Sequence, residues 1–136
     1  MPVTLSHIQI NVDPAHLGFY REFFAHCGWQ TLHDADGVLG VGATNDTSLW
    51  FVPQARTGAN DRDAAGVNHL AVGAESELGV DDAVAWLRGR GVECLFETPR
   101  HRPEFAMGPE ETYYQVMFTS PDGVLFEVVY TGPKGG

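Results

Sequence analysis

The chain has 136 residues, with 18 Asp and Glu against 8 Lys and Arg, for a formal charge of −10. A hydrophobic content of 43% with 11% aromatics excludes a disordered acidic chain, and a folded chain of this size buries roughly two-thirds of its unfolded surface. The negative balance repels phosphate backbones and argues against nucleic-acid binding, while small or cationic ligands stay open.

Residues 3–12 alternate, with Ile8, Ile10 and Val12 on one face and His7, Gln9 and Asn11 on the other. That period of two predicts a half-buried strand. Asp13-Pro14 is a helix start, and Leu17, Tyr20, Phe24 and Cys27 make an apolar stripe that Gly28 ends. Residues 29–32, 38–41 and 49–52 follow as short strands between turn-rich segments. The stretch 54–65 is polar and rich in Gly and Asp, a linker composition. After it, 67–74 reads as a strand and 80–90 as a helix striped by Val80, Val84 and Leu87. Residues 92–96, 114–119 and 124–130 read as strands, the last two joined by a turn at Ser120-Pro121-Asp122-Gly123.

The order strand, helix, three strands therefore occurs twice. Ser6-His7-Ile8 matches Asn68-His69-Leu70, and Leu49-Trp50-Phe51-Val52 matches Leu125-Phe126-Glu127-Val128, which sets Phe51 against Glu127. The expected organisation is one domain over 1–136, with a first module at 3–53, a linker at 54–65 and a second module at 66–131. The fold class is α+β: two βαβββ modules forming a curved, partly open mixed sheet with helices outside.

Alternation turns His7 and Gln9 to the face opposite the helix, and does the same for His69. Glu127 is the anomaly, a carboxylate between Phe126 and Val128 in an apolar strand, where an unpaired charge is costly. Each residue alone is more often a hydrogen-bonded strand residue than a ligand. Two repeat-equivalent histidines with a carboxylate form a set that binds a divalent metal with open positions, and Fe(II), Mn, Zn or Ni all suit it. Pro99-Arg100-His101-Arg102-Pro103 is the one basic cluster and is expected in a long loop. There it either holds a substrate carboxylate or is solvated beside Glu97 and Glu104. Tyr113 is expected to face the cavity, as a general acid or as an aromatic packing its mouth. His16, His26 and His33 read as surface, and Trp29, Trp50 and Trp86 as core or dimer contacts.

The S-H-I-x-I and N-H-L-x-V strand starts and the F-T-S-P-D-G-V-L-F-E ending resemble the vicinal oxygen chelate superfamily of glyoxalases, bleomycin resistance proteins and extradiol dioxygenases. The resemblance implies paired βαβββ modules, commonly a homodimer, and carries metal-ligand roles onto His7, His69 and Glu127. It implies an enzyme that chelates a small oxygenated substrate through vicinal oxygens and stabilises an enolate or oxyanion. Lyase, isomerase and ring-cleaving dioxygenase chemistry remain open. Glyoxalase I has a fourth ligand where this chain has Phe51, or Trp50 if the register slips by one. Candidate substrate contacts are Gln9, Phe51, Arg100, Gln115 and Met117, with Tyr113 as the candidate catalytic residue. The alternative is a metal-free bleomycin-type drug-binding protein, which the acidity suits. The opening Met1-Pro2-Val3-Thr4 lacks the basic and apolar regions of a signal peptide, and no apolar run nears the ~18 residues of a membrane span. Cys27 and Cys94 suggest no disulfide framework. A cytoplasmic location is the expectation.

Overall fold

A computed structural model describes residues 1–136. The chain divides into two compact units, Met1–Ala59 and Asn60–Gly136. Each is a βαβββ module built on a mixed four-stranded sheet.

The first unit comprises β1 (His7–Val12), α1 (Leu17–His26), β2 (Gln30–Ala35), β3 (Val38–Gly42) and β4 (Ser48–Pro53). A short 3-10 turn at Pro14–His16 precedes α1, and the Asp13 carboxylate accepts from the Ala15 N–H at 2.9 Å, as an Asp-Pro start should. The sheet order is β1-β4-β3-β2, with β1 parallel to β4 and the other pairs antiparallel. Ile10, Val12, Leu39, Val41, Leu49 and Phe51 are buried with the helix residues Leu17, Tyr20, Phe23 and Phe24. The helix stripe thus contains Phe23, while Cys27 only caps it.

The second unit comprises β5 (Leu70–Gly73), α2 (Glu77–Gly89), β6 (Leu95–His101), β7 (Glu111–Thr119) and β8 (Leu125–Pro133). Ser76 caps α2 by accepting from the Gly79 N–H, so the helix starts before the apolar stripe that begins at Val80. The order β5-β8-β7-β6 repeats that of the first unit, with β5 parallel to β8. Val80, Val84 and Leu87 of α2 are buried with Val116, Phe118, Phe126 and Val128.

Strand β6 differs from expectation. It runs into the basic cluster, to His101, instead of ending before it. Phe96 and Glu97 adopt the left-handed conformation (φ 57° and 59°), and the β6–β7 register shifts between Leu95 and Arg100. Such a bulge consumes residues without advancing the ladder. It is held by Thr98, whose hydroxyl donates to the Leu95 carbonyl at 2.6 Å and accepts from the Met117 N–H at 3.0 Å. The cluster therefore sits at the edge of the sheet, with Arg100 paired to Gln115 and His101 to Tyr114.

Candidate metal centre

Register places the functional side chains. In the second sheet, Met117 lies across from Glu127, Gln115 from Val129, and Arg100 from Gln115. Directly paired residues share a face, so Arg100, Tyr113, Gln115, Met117 and Glu127 all point away from α2. The alternate residues go the other way. Tyr114 donates to Asp81 of α2 at 2.6 Å, and burial with this hydrogen bond pushes its phenol up to about 12.

Glu127 is 2% exposed, yet both of its oxygens are engaged. Oε1 accepts from the Tyr113 hydroxyl and from Nε2 of Gln115, each at 2.6 Å. Oε2 stands 3.0 Å from Nε2 of His69, just ahead of β5. Burial first, then the hydrogen bond to Glu127 and its charge, pushes the Tyr113 phenol up to about 12. Tyr113 is therefore a protonated donor at neutral pH.

The surroundings orient these groups. The Gln115 carbonyl accepts from Nη1 of Arg102 at 3.0 Å, which turns its amide N–H groups toward Glu127. Arg102 also donates from Nε to Glu104 at 2.6 Å and lies over the Phe105 ring, whose edge meets Tyr113. On the other side, Asn68 donates to the Arg62 carbonyl at 3.0 Å, so its Oδ1 faces Nδ1 of His69 at 2.8 Å. An amide oxygen only accepts, so Nδ1 carries the proton and the second nitrogen, Nε2, faces the carboxylate.

That arrangement tests whether the residues fit a metal. A neutral His69 would set a lone pair of Nε2 against a buried carboxylate oxygen, a repulsive contact relieved either by a second proton on Nε2, which makes an ion pair with Glu127, or by a cation held between the two. A His nitrogen and a carboxylate oxygen are among the donors that divalent metals take, so His69 and Glu127 would be the residues to hold such an ion. Glu127 would keep Oε1 for its two orienting donors and offer Oε2, and both groups would have the outer hydrogen bonds that ligands usually have. His69 and Glu127 stand as a pair, and no group of three His, Cys, Asp or Glu side chains is gathered.

In the first unit, His7 pairs with Ser48 and Gln9 with Trp50, all on the face away from α1. Nδ1 of His7 meets the Ser6 hydroxyl at 3.2 Å, as Nδ1 of His69 meets Asn68. Gln9 donates to Asn11 at 3.1 Å. Phe51 is a correction. It is fully buried under α1, stacked on Tyr20 at 4.2 Å between centroids, and is no candidate for touching substrate. Glu127 pairs with Ala71, two residues past His69, and the residue paired with Gln9, two past His7, is Trp50. Trp50 is thus the repeat equivalent of Glu127. Its indole lies over Gly40, where a Cβ would come within 2.6 Å of the ring, and its Nε1 donates to Ser48. Trp50 is half-buried on the face away from α1 and is no part of the core beneath the helix. It forms an aromatic floor beside Gln9.

Of the predicted site residues, the second unit gathers His69, Glu127, Tyr113 and Gln115, with Met117 on the same face. Arg100 lies at the edge, its Nη1 3.6 Å from Glu97. The arginine that reaches the network is Arg102, whose two-residue offset from Arg100 was the available signal.

The repeated module and its face-sharing His and Glu invite comparison with known structures. A putative glyoxalase from Bacillus halodurans superposes with a TM-score of 0.75 at 28% identity, covering 93% of this chain and 94% of that one. This is the glyoxalase fold. A glyoxalase/dioxygenase from Nostoc punctiforme matches at TM-score 0.73 and 20% identity, covering 95% of this chain and 91% of its own. The lactoylglutathione lyase of Agrobacterium tumefaciens matches at 0.63 and 19%, covering 95% and 94%. No protein-family model and no curated protein sequence matches the chain. The likeness thus covers 93–95% of the chain in these three structures, and no helix of the chain is long and apolar enough to cross a membrane.

Proposed function

We propose that this glyoxalase-fold chain is a divalent-metal-dependent enzyme acting on a small substrate with vicinal oxygens. His69 and Glu127 would hold the ion, with His7, the repeat equivalent of His69, as the third protein ligand. The contact that carries the reading is Nε2 of His69 against Oε2 of Glu127 at 3.0 Å, with the His69 proton committed to Asn68. When bound, the ion would offer open positions to two neighbouring substrate oxygens and stabilise the negative charge of an enolate or oxyanion.

The chain's own groups do the rest. Gln115 and Tyr113 fix the Glu127 carboxylate so that Oε2 points toward His69. Tyr113 has one O–H and gives it to Glu127, so a general-acid role would require that hydroxyl to turn from the carboxylate to a substrate oxygen. The fold likeness and the His69–Glu127 pair support this reading over sequestration of a cationic drug, which needs no ligand set. A homodimer belongs to the same proposal, and light scattering at twice the chain mass would support it.

The test is metal uptake. Protein stripped with chelator and titrated with Fe(II), Mn(II), Ni(II) or Zn(II) should take up one ion per chain, and Glu127→Ala should take up none. Stoichiometric metal in Glu127→Ala sinks the assignment. Binding of no metal together with tight binding of bleomycin would favour the drug-binding alternative.

A further inference from the structure

Two arginines on the site face are incompletely used, in a chain with only 8 basic residues. Arg102 has five N–H donors. One goes to Glu104 and one to Gln115, and three have no acceptor in the chain. Arg100 lies across from Gln115 on the same face. Its Nε is buried without any hydrogen-bond partner, and its other contact is a loose 3.6 Å approach to Glu97, a side chain 89% exposed. A buried unpaired guanidinium N–H is costly, and structures keep few of them. Both counter-ions are acidic side chains that solvent can receive at little cost. Arg102 and Arg100 therefore keep unused donors on the site face although Glu104 and Glu97 stand beside them.

Their position relative to the ion ligands sets what they could hold. One amide, that of Gln115, separates the Arg102 guanidinium from the Glu127 carboxylate. Strand β7 lies about 4.8 Å from β8, and β6 a similar step beyond. A molecule chelated beside Glu127 and lying across β7 would bring its far end to the arginines.

We infer that the substrate is an acid: a vicinal-oxygen compound carrying a carboxylate that Arg102 and Arg100 receive at the β6 edge. The inference rests on the proposed metal centre for where the vicinal oxygens sit. A carboxylate fits better than a phosphate, because a dianion would meet a chain charged −10. Glu104 and Glu97 already present carboxylates to these guanidinium groups. Carboxylates also match the planar guanidinium fork. The bulge at Phe96–Glu97 is what brings the pair to this edge, since an unbulged β6 would carry the Pro99–Pro103 cluster past Gln115.

The probes are 3-(3,4-dihydroxyphenyl)propanoate and its neutral amide, with binding measured by calorimetry on metal-supplemented and on chelator-treated protein. The acid should bind wild type about tenfold or more tighter than the amide, the range of a charge-assisted hydrogen bond, and the preference should shrink as NaCl is raised. Arg100→Gln/Arg102→Gln should bring the acid-to-amide ratio to near one, while Arg102→Lys, which keeps the charge, should retain part of it. Equal binding of the two probes by wild type, or binding of neither, overturns the inference without needing any variant to fold. Metal uptake with no acid preference sinks this inference alone. Acid preference without metal uptake sinks the metal reading and leaves the arginine pair standing.

Discussion

Thr98→Val replaces a 6% exposed hydroxyl by a methyl of nearly the same size, so no cavity forms and the effect isolates two hydrogen bonds. The Met117 N–H loses its acceptor, the Thr98 hydroxyl, and lies in a buried strand. Leaving such a donor unpaired costs about 1–3 kcal/mol. The Leu95 carbonyl loses its donor but is half-buried and can recruit water, so its share is about 0.5–1 kcal/mol. The bulge, where Phe96 and Glu97 both hold positive φ, then keeps only its flanking strand pairs and the Arg62 guanidinium over Phe96. The sum is about 1.5–4 kcal/mol, which lowers Tm by about 5–14 °C for a chain of this length. Denaturant unfolding should show the loss in midpoint at unchanged slope, and amide exchange should quicken at Met117. Thr98→Ser, which keeps the hydroxyl, should lose less than about 1 kcal/mol. A Thr98→Val protein within about 0.5 kcal/mol of wild type would refute the claim that this side chain holds the bulge.

Phe51→Ala empties a fully buried site beneath α1 and should cost about 3–5 kcal/mol by denaturation while leaving metal stoichiometry intact. Trp50→Ala, on the opposite face, should cost less than Phe51→Ala in the same assay. Gly40→Ala puts a methyl 2.6 Å from the Trp50 ring and should displace the indole, seen as a shift in tryptophan emission. The Tyr113 and Tyr114 phenols are both pushed up from their ordinary value of 10 to about 12. The folded chain therefore holds these protons more tightly than the unfolded one. That stability is fully present below pH 10 and is lost as pH rises through 12. Absorbance at 295 nm should show the late ionisation, and Tyr113→Phe and Tyr114→Phe should each remove part of it.

The repeat was legible because Gly28 and Gly91 end the two helices at matching points, with Asp13-Pro14 opening the first helix and Ser120–Gly123 turning between β7 and β8. The alternation in β1 placed His7 and Gln9 correctly, and Glu127 stood out because an apolar strand surrounds it. Three features escaped for physical reasons. Trp50 and Phe51 are adjacent aromatics, so hydropathy cannot say which faces the helix, and only the pairing of Gln9 with Trp50 decides it. Strand β6 was misplaced because its apolar residues precede the bulge, while the paired part, Arg100 and His101, is charged and reads as loop. Strand β2 is exposed along its whole length, so burial leaves little pattern to read. The network from Arg102 through Gln115 to Glu127 depends on that bulge, which is why Arg100 rather than Arg102 stood out from sequence.

In the proposed function, the buried Glu127 carboxylate holds a divalent cation with His69. The most direct test is metal content after chelator treatment and titration, comparing wild type with Glu127→Gln, which keeps the shape and removes the charge. The account predicts one ion per wild-type chain and at least a hundredfold weaker binding in Glu127→Gln, about 2.7 kcal/mol or more. Equal metal affinity in the two proteins would contradict it.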